Sequence, residues 1–293
     1  MLRVLGRLLT RHPARHLTGH LTGRRTPARL LPAVALALAA ALAAVWSPTG
    51  TATASPASKP TVVLVHGAFS APSAWDRVVA RLHRDGYATV TPALDLHGVA
   101  GDVATVRSML DAIPGPKVLV AHSYGGFVVS NASAGRADVR ALVFTAAFVP
   151  EEGQTISDLG EGYAPPSFLA PPFPPGHLVF DQLGLAVIDP AHFRADFAQD
   201  LNPDLAATLA ATQTPTNLQI LFTPSGPVGW HAIPSWYAVS GADRVIDPAL
   251  QGAMAARAHS TVVTFPAASH AGGFTHYSAR LVRLIEQAAS STR

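Results

Sequence analysis

From Lys59 onward, short β-branched and apolar runs alternate with longer amphipathic stretches. The runs at 61–65 (TVVLV), 88–91 (ATVT), 118–121 (VLVA), 141–144 (ALVF), 236–240 (WYAVS) and 261–265 (TVVTF) are predicted strands. Nearly all are continuously apolar, which is the pattern of strands buried on both faces of a parallel sheet covered by helices. The stretches at 74–84, 102–113, 124–134, 248–258 and 276–289 are the predicted helices. The alternation predicts an α/β chain with a mostly parallel central sheet flanked by helices. No internal repeat is visible.

The alternation stops between about 150 and 234. This segment carries the pairs Pro165-Pro166, Pro171-Pro172 and Pro174-Pro175, with Phe168, Phe173, Phe180, Phe193 and Trp230 among them. Paired prolines cannot sit inside a helix or a sheet, so the segment is expected to be an inserted cap arching over the sheet. Short helices are expected at 190–199 and 203–212. The cap aromatics Phe168, Phe173, Phe180 and Trp230, with Phe69 from the sheet side, are candidates to line an apolar substrate pocket.

Charge divides the chain unevenly. Residues 1–54 hold seven arginines and no acid; without them, 14 of the 21 Lys+Arg remain against 18 Asp+Glu, a net of −4. The sequence pI near 9.6 therefore describes a basic leader on a mildly acidic body and is no argument for nucleic acid, the more so as no aromatic interleaves with the arginines. The basic stretch is followed by 14 apolar residues from Ala33 to Trp46 and by a small, polar run with an A-x-A-type site after Ala54, the order of a secretory signal peptide. Fourteen residues fall short of the roughly 20 that span a bilayer, so no lasting membrane anchor is expected. Arg24-Arg25 leaves twin-arginine export open, since Thr26-Pro27-Ala28 lacks the apolar residues expected after the pair. The expected organisation is a leader over 1–54, a linker over 55–60 and one domain over 61–290, secreted after processing.

With no cysteine in the chain, a disulfide framework, a thiolate metal centre and a cysteine nucleophile are all excluded. The richest stretch is KVLVAHSYGG, Lys117 to Gly126: an apolar strand, then Ala121-His122-Ser123-Tyr124-Gly125-Gly126, then a helix. Small residues two before and two after Ser123 allow strand and helix to approach closely while a sharp turn projects the hydroxyl, the arrangement of a nucleophile elbow. A serine hydroxyl needs a base to take its proton and an acid to orient that base. His270, just past the last strand, is the candidate base; Asp243, after the strand at 236–240, is the candidate acid, while Asp247 before Pro248 reads as a helix cap. The amides of Tyr124 and Ala68 are the candidate oxyanion donors, with Phe69 as a less favoured substitute for Ala68. His66 is expected to brace the loop around Gly67, and His122 to be turned away from substrate. No H-E-x-x-H or similar ligand spacing and no phosphate-binding glycine loop in register with a strand is present, so no cofactor or metal is expected.

On these motifs the chain resembles the α/β-hydrolase superfamily over about residues 61–289. Within it, VLVHGAFSAPSAW (Val63 to Trp75), VAHSYGGFV (Val120 to Val128) and ALVFTAAFVPEEG (Ala141 to Gly153) are similar to plant salicylate-binding methyl esterases and hydroxynitrile lyases and to bacterial pyrethroid-hydrolysing carboxylesterases. The resemblance implies a triad of Ser123, Asp243 and His270, oxyanion donors at Ala68 and Tyr124, and a small apolar or aromatic ester as substrate. The lyases place a threonine where Gly67 stands and a lysine after the catalytic histidine, where this chain has Ala271. The resemblance also implies a regular short helix after that histidine, whereas this chain reads Ala271-Gly272-Gly273-Phe274. Transfer of the acyl group to peroxide instead of water, and a non-catalytic ligand-binding role, are the alternatives to ester hydrolysis.

Overall fold

The computed structural model describes residues 59–164 and 176–291. The leader over 1–54, the three proline pairs, Phe168 and Phe173 lie outside the described residues. In chain order the strands are β1 (Thr61–Val65), β2 (Thr89–Val90), β3 (Lys117–Ser123), β4 (Val139–Ala147), β5 (Leu178–Phe180), β6 (Ala186–Ile188), β7 (Ser235–Ser240) and β8 (Thr261–Phe265). The helices are α1 (Asp76–Arg84), α2 (Val99–Ala112), α3 (Tyr124–Ala132), α4 (Ile156–Leu159), α5 (Pro190–Phe197), α6 (Pro203–Ala211), α7 (Pro248–Arg257) and α8 (Ser278–Ser291).

Six strands form one sheet in the order β2-β1-β3-β4-β7-β8, and every pairing in it is parallel. The apolar runs sit where their composition puts them: every residue of β3 and β7 is buried. α1 and α8 pack against each other, as do α2 and α3. From β1 the chain moves outward to β2 and then returns past β1 to β3. A reversal of this kind opens a crevice at the carboxyl ends of the two strands that flank it. Here those are β1, which leads into His66-Gly67-Ala68, and β3, which ends on Ser123.

The two edge strands depart from the expectation of double-sided burial, and in β2 both residues are only half-buried. β8 is an edge strand, with Thr261, Val262 and Thr264 exposed and only Phe265 fully covered. Its two threonines fit a surface that is half solvated, a distinction that an apolar count over five residues does not make.

Between β4 and β7 the chain carries the expected insertion. α5 and α6 occupy the expected helical stretches, each with proline in its first turn and an Asp189 or Asn202 side chain capping the first amides. The antiparallel hairpin β5–β6 and the one-turn α4, which Thr155 and Asp158 close in a reciprocal capping box, were not expected. Each is too short to show a hydrophobic period. The insertion is stitched to the sheet loops by backbone bonds: Thr214 N–H to Ser70 O at 3.2 Å, Asn217 N–H to Leu96 O at 2.9 Å, and Ala271 N–H to Phe197 O at 3.1 Å.

Candidate active site

Ser123 is the last residue of β3 and the N-cap of α3, with φ 53° and ψ −128°. A positive φ on a residue with a β-carbon costs on the order of 1–3 kcal/mol and persists only where the surroundings enforce it. Here the enforcement is steric. A β-carbon at Gly125 would lie 2.6 Å from Val65 O, and one at Gly126 would lie 2.4 Å from Phe148 O. The two glycines therefore let α3 start flush against the ends of β1 and β4. Ala121, where the elbow pattern has glycine, sits fully buried in β3 between Val65 and Phe144.

The candidate acid and base meet. His270 Nδ1 and Asp243 Oδ2 are 2.8 Å apart, with both side chains fully buried. A carboxylate only accepts, so Nδ1–H is the donor to Asp243, which leaves Nε2 as the outward ring nitrogen. That Nε2 is buried and has no hydrogen-bond partner among the described residues. Asp243 is saturated: Oδ1 accepts from Val245 N–H (2.7 Å) and Ile246 N–H (3.0 Å), and Oδ2 also accepts from Gln251 Nε2 at 2.8 Å. Four donors on one carboxylate fix its orientation. Gln251 in turn donates to Ile246 O and accepts from Ser240 N–H. It is a functional residue that sequence reasoning missed, its only signal being one amide on the buried face of α7. Asp247 caps α7 through Ala249 N–H, as its place before Pro248 implied.

Ser123 makes no hydrogen bond to this pair, and the contact between the elbow and the pair runs through its neighbour. The His122 ring lies 4.4 Å from the His270 ring, and His122 Nε2–H donates to the His270 carbonyl at 3.0 Å. Burial holds the pKa of His122 well below the usual histidine value, and the nearby His270 adds to the effect. His122 is therefore a neutral brace on the backbone of His270. His66 braces the loop after β1: Leu94 N–H donates to its Nε2 at 3.1 Å, which leaves Nδ1–H to donate to Gly67 O at 2.9 Å.

Gly67 lies directly against the serine. A β-carbon there would come within 2.6 Å of Ser123 Cβ. The two amides expected to face a developing oxyanion, Ala68 and Tyr124, have no acceptor among the described residues, and Tyr124 is the first residue of α3, where helical amides are free. The Phe69 amide instead donates to Thr216 Oγ1 at 3.2 Å. That bond comes from the insertion, and it removes Phe69 as a candidate donor.

Behind the elbow, Tyr124 Oη–H donates to Asp102 Oδ2 at 2.8 Å, and Leu96 N–H donates to Asp102 Oδ1 at 3.2 Å. Burial drives the Asp102 pKa up to about 6, although both hydrogen bonds pull the other way. Burial also raises the Tyr124 phenol, with the Asp102 charge adding to it. A carboxyl whose folded pKa is raised contributes its full stability below the unfolded value and loses it as pH climbs through the folded value. Asp102→Asn is thus expected to gain stability over the wild type as pH rises from 4 to 8, by on the order of 2 kcal/mol at the upper end. Differential scanning calorimetry of both proteins across that range checks it; a difference that does not change with pH would refute the assignment.

Aromatic residues wall the base. Phe197 stands edge-on to His270 at 4.7 Å, Phe274 edge-on to His122 at 4.8 Å, and Phe193 packs on Phe197 at 5.0 Å. With Phe69, Ser70, Leu209 and Thr212 they line a crevice too tight to admit even a water molecule in this structure. Of the described aromatics expected to line a pocket, Phe69, Phe180 and Trp230, only Phe69 comes to this place. Phe180 projects from the hairpin, 51% exposed. Trp230 is a correction: its indole N–H donates to Pro150 O at 2.7 Å. It lines a surface cleft with Ser235, Arg257 and Thr261, at the edge where β7 and β8 begin and therefore opposite the edge that carries Ser123 and His270. Phe197 and Phe274, which sequence reasoning did not single out, take the places it gave to Phe180 and Trp230; the spacing of Phe193 and Phe197 at i and i+4 on one helix face was the available signal.

The departure after His270 also has a steric origin. A β-carbon at Gly272 would lie 2.7 Å from Asp200 Oδ2, and one at Gly273 would lie 2.2 Å from Thr145 Oγ1. The glycines let this segment turn between the insertion and β4, in place of the short helix expected there.

Comparison with known proteins agrees with this architecture. The family described as "Alpha/beta hydrolase family" matches residues 62–284. A carbendazim-hydrolysing esterase from Nocardioides sp. (strain SG-4G) is 32% identical over 121 residues, 37% of this chain and 50% of that protein, so the chain spans about half the length of the curated relative it matches. Among solved structures, a pyrethroid hydrolase from Sphingobium faniae JZ-2 superposes with a TM-score of 0.64 at 22% identity, covering 79% of this chain and 98% of that one. An extracellular alpha/beta-hydrolase from a Paenibacillus species, described as sharing structural and functional homology with tobacco salicylic acid binding protein 2, superposes with a TM-score of 0.62 at 18% identity, covering 78% and 98%. These last two likenesses speak to the fold.

Proposed function

The chain belongs to the alpha/beta hydrolase family, and from that premise we propose that it is a serine carboxylesterase acting on small apolar esters. The observation that supports the proposal is the buried Asp243–His270 pair, whose Nε2 has no partner among the described residues, in contact with His122, the residue before a serine held at positive φ. Ser123 Oγ adds to the ester carbonyl carbon while His270 Nε2 takes the hydroxyl proton. The imidazolium so formed is stabilised by Asp243. The carbonyl oxygen gains the electron pair of the broken π-bond and is held by the Ala68 and Tyr124 amides, at the end of α3 where the helix dipole favours negative charge. Collapse expels the alcohol, which leaves with the proton from His270. Water then repeats the sequence on the acyl-serine, so that acid and free enzyme are the products.

The proposed substrate class is supported by Phe197 against His270, with Phe193, Phe274 and Phe69 packed near it, an apolar setting that favours an apolar acyl or aromatic group over a charged one. Gly67 separates this chemistry from the lyase alternative: a threonine there would drive its β-carbon into Ser123 on the present backbone. Secretion is part of the proposal and rests on the order of basic, apolar and small residues over 1–54.

The test is intact-mass labelling with a fluorophosphonate, followed by peptide mapping, alongside burst kinetics on p-nitrophenyl acetate and butyrate. A single adduct on Ser123 and an acyl-enzyme burst are expected. An adduct on another serine, or a folded protein that shows no burst, would overturn the mechanism.

A further inference from the structure

Outside the active site, the insertion brings three ligand-type side chains together. His192 and Asp196 are four residues apart on α5, a spacing that puts them on one helix face. His177, immediately before β5, comes to the same face. Its Nδ1 lies 2.7 Å from Asp196 Oδ2, and its ring stacks on the His192 ring with centroids 4.0 Å apart at 19°. One ligand atom from each residue falls within 4.8 Å of the others. We propose that His177, His192 and Asp196 form a binding site for a divalent transition metal of the zinc type.

A simple His–Asp pair explains only part of this arrangement. Asp196 is buried, yet its carboxylate accepts one hydrogen bond among the described residues, from His177. Asp243, the other buried carboxylate paired with a histidine, accepts four. The His192 ring lies flat against His177 and has no hydrogen bond to any described residue. Two imidazoles and a carboxylate are the donors that zinc takes at about 2.0–2.2 Å, which sets the ligand atoms somewhat over 3 Å apart. Binding would require His192 to rotate inward and the 2.7 Å His177–Asp196 hydrogen bond to open as the metal replaces its proton. Two imidazoles disfavour calcium and magnesium, which prefer oxygen. Three protein ligands leave a fourth tetrahedral position for water. No sequence motif announces the site, because His177 reaches it across the hairpin and not along the helix.

The placement gives the metal something to hold. α5 carries Phe197 against His270, with Phe193 packed on Phe197, and its backbone accepts from Ala271 N–H and from Arg244 Nη1. A metal tying His177 to α5 would fasten the hairpin to the helix that walls the catalytic base. The site is independent of the ester chemistry and would stand if that reading failed.

The experiment is competition of the untagged full chain with a chromophoric chelator for zinc, joined to thermal melts with and without zinc and to visible spectra of the cobalt form. One tight equivalent, a raised Tm and tetrahedral cobalt bands are expected. His192→Ala and His177→Ala are each expected to weaken binding by more than about tenfold and to abolish the rise in Tm, while metal-free hydrolysis of p-nitrophenyl acetate stays at the wild-type rate. His270→Ala is expected to keep the equivalent, which separates this site from metal caught at the triad. Absence of a stoichiometric equivalent in the wild type, or its retention in both His192→Ala and His177→Ala, would overturn the proposal. Should one variant fold poorly, the other variant and the wild-type cobalt spectrum still decide.

Discussion

Ser123→Ala is expected to lower kcat on p-nitrophenyl butyrate by about 10⁶-fold, the scale on which removal of a triad serine acts in other serine hydrolases. The loss is chemical and not structural. Alanine keeps the β-carbon, so the strain at φ 53° is neither relieved nor increased, and the packing of Gly67 against the Cβ of residue 123 is unchanged. The Tm is therefore expected to stay within a few degrees of the wild type. The remaining groups still provide oxyanion donors and a base, so a weak rate above that of water is expected to survive. A variant retaining more than a tenth of wild-type kcat would mean that another residue is the nucleophile. The measurement is steady-state kinetics paired with a melt, so that an unfolded variant is not mistaken for a silenced one.

Gly67→Ala ranks second. The added methyl would lie 2.6 Å from Ser123 Cβ and 3.0 Å from His122 O, and neither neighbour can move cheaply: one is the strained elbow and the other is strand backbone. The loop must shift, and the Ala68 amide shifts with it. Displacing one oxyanion donor elsewhere costs about 10²–10³ in kcat, and a loss of that size is expected here. The effect should fall on kcat more than on KM, because the donor matters where charge develops and not in ground-state binding. Fluorophosphonate labelling should slow in parallel. Kinetics within threefold of the wild type would show that the loop after β1 does not serve the oxyanion.

The strands, the principal helices, the turn at Ser123 and the pairing of Asp243 with His270 were legible because each rests on a pattern that is local in sequence. An apolar run makes a buried strand, a serine between small residues makes an elbow, and an acid and a histidine each follow a strand end. What was not legible depends on contacts made at a distance. Gln251 is an ordinary helical glutamine until β7 and Asp243 are brought against it. The Asp102–Tyr124 bond joins α2 to the first residue of α3, and no spacing rule links those positions. β2 and β8 looked doubly buried because composition does not show which strands end the sheet. Trp230 was misplaced for the same reason: an aromatic in an insertion can lie at either edge of the sheet, and only the chain path through Pro150 and Arg257 decides between them.

The stitching of α5 to its surroundings limits how the protein could change its diet. Phe197 O accepts from Ala271, next to the base, and Ala195 O accepts from Arg244, next to the acid. The helix is thus a shared beam for both halves of the charge-handling pair, and swinging it aside as a door would slacken them together. New ligand shapes are more cheaply accommodated by altering side chains on the hairpin or on α6 than by trading the helix itself. A chimera that imports a foreign lid while discarding this beam should be judged first by turnover and only afterwards by selectivity.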